Sequence, residues 1–367
     1  MLRDEAAELG LRDLVVSDLG VRAKFSWNAM FRANLGSHLA TRVEFCLPGF
    51  QARRFDELRK KVSRAPWSRF VRARQNVCIR VKSQKSRLMH SGAVIQRVHE
   101  AMQDAIEGRL TLVKPADEAD ALRVNVTLRA NACSVRIDTS GDPLHRRGYR
   151  LAVGKAPLRE DLAAALIRFS GWDRESSLVD PLMGSGVIPI EAALMAKGLP
   201  PGAGRSFAFQ DFPSFEASSF EATLKSLNET GKRNPDFLIH GSDRDAGSVE
   251  AARANAERAG VLDIVRFEQA SLSGAPALAS LDEDAPGAVV SNPPYGKRVK
   301  GGASLPALYK RLGSFLADRP DSELGLVTAD REFAYGMGIR LAPAIATLHG
   351  GSRVWFFRRE AELPMPG

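Results

Sequence analysis

The sequence is poor in cysteine and histidine and contains no long apolar run. Its three cysteines, Cys46, Cys78 and Cys133, lie far apart and form no CxxC pair, which excludes a disulfide framework and a structural zinc site. None of the six histidines stands in a catalytic triad or at metal-ligand spacing, so hydrolytic and metal chemistry have no support. No apolar segment approaches the ~18–20 residues that span a bilayer. The acidic N-terminus, MLRDEAAELGLRD, is unlike a secretion signal, and we therefore expect a cytoplasmic protein.

What is present is the composition of a globular chain with an uneven charge. Of its 367 residues, 44% are hydrophobic and 26% are charged, which excludes disordered and collagen-like chains and suggests two or three domains. Residues 1–150 hold 28 Lys+Arg against 16 Asp+Glu, whereas the remaining residues hold 24 against 27. Residues 51–100 alone hold 14 basic and 3 acidic residues. This asymmetry favours a polyanionic partner, with a solvated basic face as the alternative.

The predicted elements change in pattern near residue 143. Before it, alternating strands such as NVCIRVKS and LRVNVTLR mix with amphipathic helices such as GAVIQRVHEAMQDAI, a compact α+β pattern. The connector GDPLHRRGYRLAVGKAPLRE is rich in turn residues. After it, strand–helix units repeat, which predicts a doubly wound, mostly parallel α/β sheet with ligand sites at the carboxyl ends of its strands.

A glycine turn follows the first strand of the second half. Val179–Gly186 reads VDPLMGSG and places an acid, Asp180, opposite two glycines and a helix N-terminus. A dinucleotide site would need a third glycine where Pro189 stands, and an acid about 20 residues further on; the next strand-end acids are Asp243 and Asp245. An acid facing the glycines suits a cationic group such as the ammonium of S-adenosylmethionine, with Asp243 on its ribose. A plain strand-to-helix turn is the alternative.

A second motif ends the apolar strand GAVV. It reads Ser291-Asn292-Pro293-Pro294-Tyr295-Gly296, and its prolines stop the strand and restrict the backbone. The Asn292 side-chain oxygen and the Pro293 carbonyl could accept both hydrogens of an exocyclic amino group and so localise the nitrogen lone pair toward a methyl donor. Tyr295 offers a flat face for a flipped or unstacked base. A proline-rich turn with a core tyrosine is the less favoured alternative.

Asn292–Tyr295 resembles the NPPY signature of amino-group methyltransferases that use S-adenosylmethionine. Further segments resemble, in order and spacing, the RNA guanine-N2 methyltransferases that carry an N-terminal THUMP domain, among them a bacterial 23S rRNA enzyme and archaeal and eukaryotic tRNA enzymes. These segments are PLHRRGYR (143–150), APLREDLAAAL (156–166), DPLMGSG (180–186), IEAALMA (190–196), PGAGRSFAF (201–209), GSDRD (241–245) and NPPYGKR (292–298). Members of this family are often named N6-adenine DNA methylases.

The resemblance implies a Rossmann-like class I methyltransferase domain behind an N-terminal α+β ferredoxin-like/THUMP region. We predict a partial ferredoxin-like module over residues 1–50, a THUMP-like RNA-binding domain over 51–142, a linker over 143–157 and the S-adenosylmethionine-dependent domain over 158–367. The segment SQKSRLMHSG (83–92) is similar to the part of THUMP domains that opens the second helix. The chain begins late relative to the family, and we expect it to lack a first strand of the N-terminal module.

The resemblance also implies the site residues. The glycine turn and neighbouring strand ends would bind S-adenosylmethionine through Asp180, Pro181, Gly184, Ser185, Gly186, Glu191, Asp243 and Ser271. The target base would be held by Asn292, Pro293, Pro294 and Tyr295. RNA phosphates would be contacted by Lys82, Lys85, Arg87, Arg146 and Arg147.

The sequence departs from the family pattern at two places in the cofactor motifs. DPLMGSGV lacks the usual cysteine and threonine but keeps the glycine turn. Ser271 stands where the family usually has an Asp that contacts the adenine amino group, so cofactor affinity is reduced or another group supplies the contact. Phe207 and Phe209 either wall the base pocket or belong to the core.

These observations predict an RNA methyltransferase that modifies the 2-amino group of a guanine, in 23S rRNA or in a tRNA. One alternative is an N6-adenine methyltransferase on DNA or RNA, because the NPPY motif suits any exocyclic amine. The other is a non-catalytic RNA-binding or ribosome-assembly factor, which Ser271 favours and the intact Asn292–Tyr295 motif disfavours.

Overall fold

The computed structural model describes residues 1–17, 20–151, 158–231, 233–274, 281, 287–294 and 305–360. The elements of the N-terminal half are α1 (Leu2–Glu8), β1 (Val15–Ser17), β2 (Gly20–Arg22), α2 (Trp27–Gly36), β3 (Glu44–Cys46), β4 (Phe50–Gln51), α3 (Phe55–Val62), β5 (Asn76–Gln84), α4 (Ser91–Ile106), β6 (Thr111–Leu112), β7 (Leu122–Arg129) and β8 (Ala132–Asp138). Those of the C-terminal half are α5 (Glu160–Ser170), β9 (Leu178–Asp180), α6 (Val187–Lys197), α7 (Ala217–Gly231), β10 (Ile239–Asp243), α8 (Ala246–Ala259), β11 (Val265–Gln269), β12 (Ala288–Ser291), α9 (Leu305–Ala317), β13 (Glu323–Thr328), α10 (Arg331–Tyr335), β14 (Ile345–His349) and β15 (Ser352–Arg358). Of the helices described, none is long and apolar enough to cross a bilayer.

A six-stranded sheet organises the N-terminal half. Its strands run in the order β3-β8-β7-β5-β6, and β4 also pairs with β8. β5 and β7 are parallel, while β7 and β8 form the antiparallel pair expected from their alternating sequences. Ala130 and Asn131, with φ of +48° and +67°, make the two-residue turn that joins such a pair. The α+β organisation predicted for this half is confirmed.

A seven-stranded sheet organises the C-terminal half. Its order is β11-β10-β9-β12-β13-β15-β14, with β15 antiparallel to both of its neighbours and the other pairs parallel. The strand order reverses between β9 and β12, and ligands of such sheets bind at this switch point, beyond the carboxyl ends of the strands. The predicted doubly wound α/β sheet is confirmed, and both chemical motifs follow the two strands that flank the switch point.

The two halves share a hydrophobic core. Phe207, Phe209 and Phe212, which come from the C-terminal half, are buried in the same cluster as the apolar side chains of the N-terminal sheet. The Phe209 N–H donates to the Thr139 carbonyl at 3.1 Å, and the Phe31 and Phe209 ring centroids lie 5.0 Å apart. Of the two roles considered for Phe207 and Phe209, the structure supports the core role.

The sequence-based prediction missed three elements of the C-terminal half: α7, the short helix α10 and β14. β14 is an edge strand that pairs only with β15 among the described strands. Three of its five residues are exposed and the other two are partly buried, so it lacks the buried alternation by which a strand is recognised in a sequence.

Candidate functional site

The glycine turn between β9 and α6 contains two glycines that serve different purposes. Both have positive φ, +54° at Gly184 and +82° at Gly186, which glycine adopts with little strain. A Cβ added to Gly184 would meet no atom of the described residues within 4 Å, whereas one added to Gly186 would lie 2.9 Å from the Ala252 Cβ on α8. Gly184 therefore leaves the backbone open to a ligand, and Gly186 permits close packing of α8.

Asp243 lies against this turn although it is 59 residues away in sequence. Its two carboxylate oxygens accept hydrogen bonds from the Gly184 N–H and the Asp245 N–H, both at 3.0 Å. The contact exists because β10 is the parallel neighbour of β9, so that both strands end at the same edge of the sheet. The half-buried Asp243 thus stands beside the open side of Gly184, where the sequence places the ribose of a cofactor.

Asp180 ends β9 and is 1% exposed. Its Oδ1 accepts from the Ser291 hydroxyl at 2.7 Å and from the Leu182 N–H at 3.1 Å. Burial raises the pKa of Asp180 to about 7, although the two hydrogen bonds act to lower it. The neighbouring Asp243 adds to the rise. A cation bound at this carboxylate would favour its ionised form.

Asn292 follows β12 directly. Its side-chain Oδ1 is buried and has no hydrogen-bond partner among the described residues. A buried acceptor without a donor is costly and calls for a partner that the described residues do not provide; an amino group is such a donor. Pro293 is buried and Pro294 is exposed, while Tyr295, the last residue of the predicted base site, lies outside the described residues.

Ser271 lies just beyond the end of β11. The Ala270 N–H donates to the Asp243 carbonyl at 3.0 Å, so Ser271 lies close to the end of β10. The side chain is exposed, and its hydroxyl lies 3.0 Å from the Ser273 hydroxyl. Ser271 is therefore near the candidate site and presents a neutral hydroxyl instead of an acid.

Glu191 has partners other than a cofactor. It is fully buried, and its Oε1 lies 3.4 Å from Arg147 Nε and accepts from the Tyr149 hydroxyl at 3.1 Å, while its Oε2 lies 3.2 Å from His38 Nδ1. Burial opposes ionisation, but Arg147 and His38 hold the pKa of Glu191 below its usual value. Because both carboxylate oxygens face the linker and the N-terminal half, the structure does not support the expected role of Glu191 as a cofactor ligand.

The structure corrects the expectation that Arg147 contacts RNA. Its side chain is buried, and besides Glu191 it donates to the carbonyls of Leu144 and His38, both at 2.6 Å. Its donors are therefore engaged inside the protein, where a phosphate has no access. Arg147 joins the two halves instead.

The other predicted RNA contacts lie on the surface. Lys82 is at the end of β5, and Lys85 and Arg87 follow in the turn before α4; all three side chains are exposed. In the described part of the chain none of the three forms an ion pair, which leaves their charges available to a polyanion. Arg146 is also exposed, but it forms an ion pair with Asp142 at 3.3 Å.

A hydrogen-bond chain that the sequence did not reveal links the linker to the glycine turn. The Arg258 Nε donates to the Tyr149 carbonyl at 2.7 Å, and its Nη2 donates to the Asn255 side chain. Asn255 in turn donates to the Ser185 carbonyl at 3.1 Å. Asn255 is fully buried on α8. The signal that the sequence offered was this asparagine, which stands among the alanines on one face of the helix AARANAERA.

Two family models match the chain. Residues 147–335 match the RMKL-like methyltransferase domain, and residues 52–138 match the THUMP domain. The first match alone covers more than half of the 367 residues. The THUMP match lies inside the range 51–142 predicted for that domain, whereas the methyltransferase match begins at residue 147, within the predicted linker 143–157. The predicted domain boundaries therefore stay a prediction.

A curated relative and two solved structures are similar over nearly the whole chain. Ribosomal RNA large subunit methyltransferase K/L of Syntrophotalea carbinolica is 32% identical over 362 residues, 96% of this chain and 50% of that protein; the chain thus spans about half the length of this relative. The structure of a predicted N6-adenine-specific DNA methylase from Listeria monocytogenes has a TM-score of 0.83 at 29% identity, over 97% of this chain and 92% of that one. SMU.472, complexed with SAH, has a TM-score of 0.81 at 27% identity, over 98% and 94%.

Proposed function

Since the chain belongs to the family of RMKL-like methyltransferase domains and joins that domain to a THUMP domain, we propose that it methylates RNA. The methyl group comes from S-adenosylmethionine and is transferred to the exocyclic 2-amino group of a guanine in large-subunit ribosomal RNA. The single observation that carries the proposal is the buried Oδ1 of Asn292, which has no hydrogen-bond partner among the residues that the structure describes. Asn292 is joined through Ser291 to the strand that precedes the glycine turn.

The residues at the switch point fit S-adenosylmethionine. Gly184 leaves its Cβ position open, and Asp180 and Asp243 place two carboxylates at adjacent strand ends. Asp180 would hold the cofactor's ammonium and Asp243 its ribose hydroxyls, while Ser271 would lie near the adenine. The relative SMU.472 was crystallised with SAH, the product that remains after methyl transfer, which supports the same cofactor here.

The reaction requires little acid–base catalysis by the protein. The bound cofactor supplies a methyl group activated by its sulfonium. The 2-amino group of guanine is a weak nucleophile because its lone pair is delocalised into the ring. Asn292 Oδ1 and the Pro293 carbonyl would accept its two hydrogens, localise the lone pair on nitrogen and hold the near-attack geometry. The methylated nitrogen is acidic and loses its proton without a strong general base.

The choice of substrate rests on the N-terminal half and on the curated relative. The exposed Lys82, Lys85 and Arg87 would contact phosphates and position the RNA, while the motif at Asn292 would select the base. The name of the relative, a ribosomal RNA large subunit methyltransferase, favours rRNA over tRNA and favours the cytoplasm as the place of the reaction. The name of the Listeria relative keeps adenine N6 as the competing target.

Labelled S-adenosylmethionine tests the proposal when it is offered with unmodified rRNA, tRNA and genomic DNA in separate reactions, followed by nucleoside analysis. N2-methylguanosine in the rRNA digest is the expected result. N6-methyladenine would overturn the target base, and label in tRNA alone would overturn the substrate.

A non-catalytic role is the second candidate, because a hydroxyl at Ser271 stands in place of an acid. Binding of S-adenosylmethionine measured by calorimetry separates the two. RNA binding without cofactor binding or label would support an assembly factor, whereas cofactor binding with methyl transfer excludes it.

A further inference from the structure

One hydrogen bond joins the two motifs of the candidate site. The Ser291 hydroxyl, at the end of β12, donates to Asp180 Oδ1, at the end of β9, at 2.7 Å. The two strands are parallel neighbours with Val289 opposite Val179. The contact thus crosses the switch point and connects the strand that presents Asn292 to the strand that begins the glycine turn.

Both partners are shielded from water, which makes the contact strong. Ser291 is fully buried and Asp180 is 1% exposed. In such surroundings a hydrogen bond to a carboxylate is worth more than one between neutral groups. A buried carboxylate that loses a donor is left with an unmet desolvation cost.

We propose that Ser291 is a positioning residue that couples cofactor binding to the target-base motif. Its hydroxyl orients the Asp180 carboxylate for the cofactor's ammonium and fixes the strand end from which Asn292 faces the amino group. The inference rests on the proposed function and deepens it, because it assigns the link between cofactor binding and target-base binding to one side chain.

The surroundings of Asp180 predict how the link acts. Its second donor is the Leu182 N–H, and the charged group that acts on it among the described residues is Asp243 on β10. Burial and Asp243 favour the protonated carboxyl, whereas the two donors favour the carboxylate. Without the Ser291 hydroxyl, a larger fraction of Asp180 is protonated, and a neutral Asp180 no longer attracts an ammonium.

The test compares Ser291→Ala and Ser291→Cys, which remove the hydroxyl, with Ser291→Thr, which keeps it. The dissociation constant of S-adenosylmethionine is measured by calorimetry as a function of pH. For the Ala and Cys variants we expect the dissociation constant of S-adenosylmethionine to be roughly tenfold higher at neutral pH. The pH below which affinity is lost should lie about one unit above that of wild type. The Thr variant should stay close to wild type. Unchanged affinity and midpoint in the Ala and Cys variants would overturn the proposal.

A second readout uses the protein without cofactor. The unfolding free energy of wild type, Ser291→Ala, Asp180→Asn and the double variant is measured by urea denaturation across the same pH range. A coupling between the two positions that grows with pH is expected, because the carboxylate is the better acceptor. Zero coupling overturns the inference even if RNA is methylated. Intact coupling in a wild-type protein that methylates no RNA contradicts the proposed function alone.

Discussion

The carboxylate of Asp243 accepts a hydrogen bond from the Gly184 N–H at 3.0 Å, across 59 residues of sequence. The bond fixes the backbone of the glycine turn at the point where the Cβ position of Gly184 is open. Asp243 therefore has two expected roles, holding the turn in shape and binding a cofactor hydroxyl.

Replacing Asp243 should lower cofactor affinity far more than it lowers the stability of the fold. Asp243→Ala removes both an acceptor for the turn and the expected ribose ligand, and we expect the dissociation constant of S-adenosylmethionine to rise at least about tenfold. Asp245→Ala is the matched control. It removes the side chain that caps α8 through the Ser248 N–H at 2.7 Å, which costs about 1 kcal/mol of stability and should leave affinity near wild type. Equal affinities for the two variants would contradict the assignment.

The two glycines of the turn should respond differently to alanine. Gly186→Ala places a Cβ 2.9 Å from Ala252 and should cost roughly 1–3 kcal/mol of unfolding free energy, measured by urea denaturation. Gly184→Ala adds only the strain of a positive φ, about 1 kcal/mol, but projects a methyl group into the ligand space. Its main effect should be impaired cofactor binding, and a Gly184→Ala protein with unchanged affinity would place the cofactor elsewhere.

Arg147 and its neighbour Arg146 offer a matched pair for stability. Arg147→Ala leaves the buried Glu191 carboxylate without its guanidinium partner and should cost about 3–5 kcal/mol. Arg146→Ala removes an exposed cation paired with Asp142 and should change stability by less than about 0.5 kcal/mol. Equilibrium denaturation distinguishes them, and similar midpoints would show that the buried cluster does not join the halves.

Glu160 should make stability depend on pH. Burial raises its pKa to about 7, against the attraction of Arg150. The folded chain then keeps a proton that the unfolded chain releases above about pH 4.5, so this contribution is full at lower pH and is lost as pH rises toward 7. Between about pH 4.5 and 7, the unfolding free energy of wild type should therefore fall by as much as about 3 kcal/mol more than that of Glu160→Gln. A wild-type stability that rises across this range as steeply as that of the variant would contradict the assignment.

Surface lysines and arginines of the N-terminal half should set the salt dependence of RNA binding. If Lys82, Lys85 and Arg87 each bind one phosphate, replacing any one of them by alanine should lower the slope of log affinity against log salt by about 0.7–0.9. Lys225→Ala, an exposed lysine of α7, is the control. Filter binding at several salt concentrations measures both, and slopes that match the control would move the RNA to another face.

The sequence predicted the sheet and the strand ends well, because both depend on local patterns. The apolar strand before Asp180, the glycine turn and the two prolines after Asn292 each have a signature within a few residues. Arg147 and Glu191 were misjudged because they pair with each other across 44 residues and because both also contact His38, more than 100 residues away. A buried ion pair leaves no local periodicity, and an arginine in a turn-rich connector looks the same whether it faces water or a carboxylate.

The role of Ser291 could not be predicted for a related reason. A serine at the end of AVVS is compatible with any strand end, and only the pairing of β9 with β12 brings its hydroxyl to Asp180. α7 is a different case, because its sequence did carry a local signal. Phe220, Leu224 and Leu227 stand at helical spacing and pack in or against the core of the other half, and the sequence-based prediction overlooked them.

Single-turnover methyl transfer by Asn292→Ala, at saturating S-adenosylmethionine, tests the central claim most directly. Asn234→Ala, an exposed asparagine in the loop before β10 and at the opposite end of that strand from the site, is the control. If the Asn292 oxygen activates the amino group, its removal should slow transfer roughly 100-fold or more while cofactor affinity stays within about threefold, and the control should be unaffected. Transfer by Asn292→Ala at the wild-type rate would contradict the claim.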